Sequence, residues 1–283
     1  RIMGLALAQQ GEGDRAVREL EAAVRENPKD AATRVVLGQL LAGQGNGQEA
    51  VTQLEEALRL DPKNPDAHFH LGEVLFAQGR QAAAARHYEA AVAADSRHAG
   101  AQFRLGETQL AAGDLPKAII AFRAAMAADP GLTPEANFRL GDVFFRQNKT
   151  QLEIAAYQEA LKLNPKHARA KVALGFAYAR LRMLAKALEQ LDGAIALDPQ
   201  NELAHYYRGT VLYNSRRVDE ALAAYGQAVA RRPNFAEAHY ALGQLFTEKG
   251  DKPRAISHLK AALAANPKFE AASLALTKLQ GEK

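Results

Sequence analysis

Small and large apolar residues recur along this chain in a fixed order, divided by short polar turns, and the order repeats. A glycine after a leucine-like position marks each copy: Gly4, Gly38, Gly72, Gly106, Gly141, Gly175, Gly209 and Gly243, separated by 34 residues except for one step of 35. Twelve and nineteen residues after each glycine stand small residues, such as Ala50 and Ala57 or Ala118 and Ala125, with Glu153 the one charged exception. Sixteen residues after it stands a large apolar one: Leu20, Leu54, Tyr88, Phe122, Tyr157, Leu191, Tyr225 and Leu259. Seven residues after it comes a turn position, read as Gly11, Gly45, Gly79, Gly113, Asn148, Arg182, Arg216 and Gly250. Twenty-four residues after it comes proline, or Ser96 in one copy. A period of this length with all these positions in phase is the mark of a repeat array. Each copy predicts two helices joined by a tight turn, so the fold class is all-α.

Each anchor has a physical task. Glycine and alanine let two helices approach closely, and the large residue fills the space they leave. Proline, usually after Asp or Asn, ends the second helix because it lacks an N–H and fixes φ. Glycine and asparagine suit a left-handed turn. Arg182 and Arg216 do not, so those two turns are expected to be strained or built differently. The extra residue falls in "DPGLTPEAN", where Thr133 is expected to cap a helix whose first residue is Pro134.

These motifs, exemplified by "LGEVLFAQGRQAAAARHYEAAVAAD" and "LGQLLAGQGNGQEAVTQLEEALRLDP", closely resemble the tetratricopeptide repeat family over nearly the whole chain. Departures are Glu153 for Ala, Ser96 for Pro and Arg208 for Leu. The resemblance frames repeats at 1–30, 31–64, 65–98, 99–132, 134–167, 168–201, 202–235 and 236–269, and the tail 270–283 reads as a solvating C-terminal capping helix. It implies a right-handed superhelical α-solenoid of about eight such repeats, with a concave groove lined mainly by the first helices.

The family's groove-facing positions, carried over copy by copy, select Phe69, His70, Phe103, Arg104, Glu107, Phe138, Arg139, Asp142, Arg146, Phe176, Arg180, Tyr206, Tyr207, Tyr213, Asn214 and Tyr240 as candidate partner-binding residues. Glu73, Phe76 and Phe145 fall on the same face. The aromatics three residues before glycine fit packing between helices better than ligand contact. Arg104 and Arg139, with Arg146 and Arg180, form a row that suits an acidic or carboxylate-ended segment. The competing reading pairs Arg104 with Glu107 and Arg139 with Asp142, three residues on along each helix. The Lys/Asn/Arg carboxylate clamp of the family's chaperone-binding members is absent, as is the Asn ladder of the repeats attached to the O-linked N-acetylglucosamine transferase.

Composition narrows the chemistry further. The chain has 283 residues, 48% hydrophobic and 24% charged, in the range of a folded chain. It has no Cys, hence neither disulfides nor a thiolate nucleophile. No apolar run approaches the roughly 18 residues a spanning helix needs, so no direct membrane insertion is expected. The histidines form no HExxH pair, the glycines recur singly rather than as a phosphate loop, and no nucleophile–base–acid set stands out. A non-enzymatic scaffold without metal or cofactor is the reading, its partner a protein or peptide and not a nucleic acid. Residues 1–133 carry 14 basic and 17 acidic side chains and residues 134–283 carry 22 and 15, a charge of −3 against +7. That basic second half can steer acidic partners. The opening at Arg1, within an apolar pattern of Ile2, Leu5 and Leu7, reads as a piece of a longer protein. Two further readings are self-assembly into a homo-oligomer and a substrate-recruiting module of a larger enzyme such as a glycosyltransferase.

Overall fold

The computed structural model describes residues 2–281; Arg1, Glu282, Lys283 and the Leu5 side chain, on which the reading of the chain's opening partly rests, lie outside the described residues. Among the described residues there are seventeen α-helices, one 3-10 turn and no strand. The chain divides into two compact units, the first ending at Gln147 and the second beginning at Asn148. The first unit contains α1 (Ile2–Gln9), α2 (Gly13–Glu26), α3 (Ala31–Gly43), α4 (Gly47–Leu60), α5 (Pro65–Ala77), α6 (Gln81–Ala94), α7 (Ala99–Ala112), α8 (Leu115–Ala128) and α9 (Thr133–Arg146). The second contains α10 (Thr150–Leu163), α11 (Ala168–Arg180), α12 (Leu184–Leu197), α13 (Glu202–Asn214), α14 (Val218–Arg231), α15 (Ala236–Glu248), α16 (Lys252–Ala265) and α17 (Glu270–Gly281). Within each unit, successive helices pack as antiparallel hairpins stacked on their neighbours. The closing helix α17 joins the apolar cluster of α16 through Ala272 and Leu279.

The glycine and its partner sixteen residues later meet in every hairpin for which the contact is described. A Cβ on Gly38 would lie 2.6 Å from Leu54 Cγ, on Gly72 2.6 Å from Tyr88 Cε1, and on Gly106 2.8 Å from the Phe122 ring. In the second unit, Gly175, Gly209 and Gly243 stand in the same relation to Leu191, Tyr225 and Leu259, at 2.7, 2.7 and 2.8 Å. Real Cβ atoms do not come so close, so only glycine fits there. The alanines twelve and nineteen residues after the glycines, among them Ala50, Ala57, Ala221 and Ala228, are fully buried. The expected large-against-small interlock is therefore the packing of each hairpin.

Junctions between hairpins use one local device. The Asp or Asn before the proline accepts the N–H two residues on, as Asp61 does from Lys63, Asn164 from Lys166 and Asp198 from Gln200. Proline has no N–H of its own, so the next donor is taken instead. Asp95 keeps the bond to Arg97 even where Ser96 replaces proline. The next helix is then capped by Asp30, Asn64, His98, His167 or Asn201, whose side chain accepts the backbone N–H three residues on.

The extra residue is absorbed differently from the expectation. Pro130–Leu132 forms a 3-10 turn held by the Asp129 carboxylate, which accepts the Gly131 N–H at 2.8 Å. Leu132 is itself helical, so α9 begins at Thr133 without a side-chain cap, and Thr133 is the first helical residue rather than the cap. The 3-10 turn runs straight into the helix, which leaves no extended residue for a capping hydroxyl to occupy.

All eight hairpin turns take the left-handed conformation. Gly45, Gly79, Gly113 and Gly250 have φ of 84°, 77°, 82° and 74°, and Asn148, Arg182 and Arg216 have φ of 56°, 57° and 63°. The arginine turns are thus built like the glycine turns. The N–H of Met183 closes on Tyr178 O at 3.0 Å as that of Asn46 closes on Leu41 O at 2.9 Å. A side chain in this region costs about 1–2 kcal/mol, partly offset by the freedom that glycine gives the unfolded chain. Arg182→Gly and Arg216→Gly are each expected to stabilise the protein by about 0.5–1 kcal/mol, read as a higher urea midpoint. An unchanged midpoint would mean that the turns relax without strain.

Two hairpins also contain a histidine pair. His68 Nε2 lies 3.1 Å from the Pro62 carbonyl, and His68 Nδ1 lies 3.0 Å from His87 Nδ1. His239 repeats this with the Pro233 carbonyl and His258 Nδ1, both at 3.0 Å. A carbonyl only accepts, so Nε2 of His68 carries the proton, its Nδ1 is bare, and His87 donates from Nδ1. His205 makes the same bond to the Pro199 carbonyl, but its counterpart nineteen residues on is Ala224 and no pair forms. Burial first, then the partner imidazole, holds His87 and His258 below the ordinary histidine value of 6.5. Burial also lowers His70 and His205. A histidine depressed in the folded state binds more protons when unfolded, so its stabilisation is lost as pH falls below 6.5. Thermal unfolding is expected at lower temperature near about pH 5.5 than near about pH 7.5, and the difference is expected to shrink in His87→Ala/His258→Ala. A double variant with an unchanged pH slope would place the titration elsewhere.

Candidate functional site

The first helices of the first unit carry a linked row of ionic side chains. Tyr88 Oη donates to Glu73 Oε1 at 2.6 Å, and Arg104 Nη2 donates to Glu73 Oε2 at 2.7 Å. The other nitrogen of the Arg104 fork, Nη1, donates to Glu107 Oε2 at 2.8 Å. Glu107 Oε1 lies 2.7 Å from Arg139 Nη2, and Arg139 lies 3.5 and 3.6 Å from the carboxylates of Glu135 and Asp142. The row therefore spans α5, α7 and α9, and its cross-helix members are supplied by successive repeats. Burial alone would lower Arg104, but the hydrogen bonds it donates to Glu73 and Glu107 outweigh burial and raise it. Burial, then the Glu73 bond, pushes the Tyr88 phenol far above its usual value.

Beside this row opens a cleft of about 580 Å³ between the hairpins α5–α6 and α7–α8. Phe76, Ala82, Ala85, Thr108, Ala111 and Ala112 line it, with Arg104, Glu107 and Arg139 at its edge. Phe76, next to the last residue of α5, is 41% exposed, a large apolar surface for one ring.

The arginines proposed as an open row for an acidic partner are engaged within the protein. Arg104 and Arg139 take the carboxylates just described. Arg146 Nη1 donates to the Leu110 carbonyl at 2.6 Å. Arg180, in the second unit, grips the carboxylate of Glu153 at 3.1 and 2.9 Å. At Arg104 and Arg139 both the pairing along the helix and a second pairing across helices occur, because those two guanidinium groups each reach more than one carboxylate.

The aromatics three residues before glycine lie in packing positions. Phe69 sits 4.8 Å from the His98 ring and 6.2 Å from Tyr88, Phe103 meets Phe122 edge-on at 5.6 Å, and Phe138 is buried. Tyr206 lies 4.9 Å from Phe235 and 5.7 Å from Tyr225, and Tyr240 lies 5.0 Å from Phe269. His70 is partly buried beside Phe69. One residue further round the first helices, Tyr207 packs against Phe176 at 4.7 Å, and burial raises its phenol. Tyr213 Oη donates to Glu248 at 2.6 Å, and Asn214 is exposed at the end of α13. The second unit thus presents an aromatic first-helix face where the first presents an ionic one.

Sequence reading missed how Tyr88 joins the row. Its signal is a polar residue just after the glycine with Tyr fifteen residues beyond it: Glu73 with Tyr88, and again Thr210 with Tyr225 at 3.2 Å. Among the described residues, no group of three or more His, Cys, Asp or Glu side chains is placed to hold a metal ion. No described helix is long and apolar enough to cross a membrane.

Stacked helical hairpins, with mixed ionic and aromatic side chains gathered on their first helices, define a helical-repeat protein of the scaffold class. A family model described as tetratricopeptide repeat matches residues 3–65, 35–96, 78–133, 138–202 and 206–268. The chain belongs to the tetratricopeptide repeat family. Similar solved structures include the APC/C hetero-tetramer Cut9–Hcn1, with a TM-score of 0.71 and 17% identity over 94% of this chain and 52% of that one. The chain therefore spans about half the length of that relative. YrrB, described as a TPR protein with an unusual peptide-binding site, gives a TM-score of 0.54 at 22% identity over 66% of this chain and 96% of its own. MamA gives 0.52 at 26% identity over 59% of this chain and 96% of its own. No curated protein matches the chain in sequence.

Proposed function

We propose that this protein is a non-catalytic interaction scaffold that holds a segment of a partner protein against its first-helix face. The observation that supports this most is the cleft between α5–α6 and α7–α8, where an exposed aromatic and a polar row meet in one concave site. Such a combination of apolar lining and a few fixed polar groups is what segment recognition needs. Cut9 is described in a complex with Hcn1, and YrrB as having a peptide-binding site; the shared fold makes the same mode of action reasonable for this chain.

The test is site-specific photocrosslinking in lysate of the source cells. A crosslinking amino acid is placed at Phe76 or Tyr207 on the first helices, and at Arg123 or Glu189 on the second. One identified protein, captured from the first-helix positions through one segment and not from the second-helix positions, is the expected result. Equal capture from Arg123 and Glu189 would move the contact surface to the second helices.

A further inference from the structure

The cleft lies where one repeat lacks a side chain that its siblings have. Thirteen residues after each repeat glycine the chain reads Val17, Val51, Ala85, Ile119, Ile154, Leu188, Leu222 and Ile256. Seven copies place a branched aliphatic there, and only the copy that lines the cleft has alanine. Thr108, which also lines the cleft, stands where Leu40, Val74, Val143, Val211 and Leu245 stand in other copies. Phe76 is 41% exposed beside it, with the Arg104 guanidinium over its ring at 5.7 Å.

The ionic row beside the cleft distinguishes between charges: Arg104, Glu107 and Arg139 line the cleft, Glu73 lies next along the row, and the row sets four carboxylates, those of Glu73, Glu107, Glu135 and Asp142, against two guanidinium groups. Each oxygen of Glu73 and of Glu107 receives one hydrogen bond, and a carboxylate oxygen has room for a second. A cation from a ligand adds a donor without displacing one. A ligand carboxylate would have to draw Arg104 or Arg139, the two cations that line the cleft, away from carboxylates that each already holds. The first unit as a whole carries 16 basic and 19 acidic side chains, a net −3 that attracts the same sign of ligand.

We infer that the cleft receives a basic segment of a partner protein, with one Leu- or Phe-sized side chain entering beside Ala85 and Phe76 and a neighbouring Lys or Arg meeting Glu73 and Glu107. This rests on the scaffold reading above and gives its partner a chemistry. The ligand's apolar side chain takes the place that Val, Ile or Leu takes in the other repeats. Its cation adds to the ionic row and makes binding weaken with salt.

The experiment is selection of a phage-displayed random-peptide library on the whole chain, followed by titration of the resynthesised peptides. Ala85→Ile restores the residue type of the other repeats and closes the cleft, so this variant is expected to unfold at the same temperature as the wild type or higher. The expected hits have Leu, Ile or Phe within one helical turn of Lys or Arg. Their affinity is expected to fall by about tenfold or more in Ala85→Ile, and by about fivefold when the peptide's basic residue is exchanged for Gln. Acidic hits that still depend on Ala85 would overturn the basic character alone. Hits that bind Ala85→Ile as well as the wild type would overturn the cleft as the site and leave the scaffold reading standing. A selection that enriches no peptide would sink the recognition of short segments altogether.

Discussion

Arg180→Ala is expected to destabilise the second unit by about 3 kcal/mol, whereas Glu153→Ala, at the other end of the same ion pair, is expected to cost less than about 1 kcal/mol. The asymmetry comes from burial. Glu153 stands where seven other repeats have alanine, between packed helices, and its side chain is 1% exposed. Arg180 is 29% exposed and retains a path to water when its partner is removed. Deleting the arginine takes from a buried carboxylate the Nη1 contact to both of its oxygens, which offsets much of its lost hydration. Deleting the glutamate restores the alanine that the repeat ordinarily uses. The double variant Arg180→Ala/Glu153→Ala is therefore expected within about 1 kcal/mol of the wild type, a coupling that a double-mutant cycle in urea measures directly. Equal costs for the two single variants would show that the pair does not secure Glu153.

The second large effect concerns the interlock inside each hairpin. Phe122→Ala is expected to cost about 4 kcal/mol, because Phe122 is fully buried against Gly106 and the helices cannot close over the space it leaves. Adding volume at the same place has the same sign. Gly106→Ala gains about 1 kcal/mol of helix propensity, yet forces a methyl to within 2.8 Å of the ring, so a net loss of about 1–2 kcal/mol is expected. Gly226 gives the contrast. It also lies inside a helix, but a Cβ there would meet nothing within 4 Å. Gly226→Ala is accordingly expected to stabilise by about 0.5–1 kcal/mol. Chemical denaturation of the three variants reads all of these signs, and stabilisation by Gly106→Ala would refute the interlock as described.

Much of the fold was legible in the chain before any coordinates. The hairpins, their turns and their large-against-small contacts follow from residues that meet within one repeat, so a fixed spacing in sequence becomes a fixed distance in space. The same holds for the junctions, where Asp or Asn, a proline and a capping side chain act within a few residues of each other. The one misplaced boundary, at Thr133, arose where a 3-10 turn replaced the usual junction, a choice between nearly equivalent local geometries.

The candidate face was legible only as a set of residue types. Its side chains are long and charged, and several partners of opposite sign lie within reach of each. Sequence spacing offered Arg104 the carboxylate of Glu107, one turn away on its own helix. The stacking of α7 on α5 added Glu73, 31 residues distant, and with it the hydroxyl of Tyr88. The same stacking turned Arg146 onto a backbone carbonyl and Arg180 onto a buried glutamate. By itself the sequence determined which positions pack, because a packing position admits one size of side chain and the repeat states it eight times. The tertiary structure decided which charges are already satisfied and where a missing side chain leaves a cleft, because both depend on distances between helices that no single repeat contains.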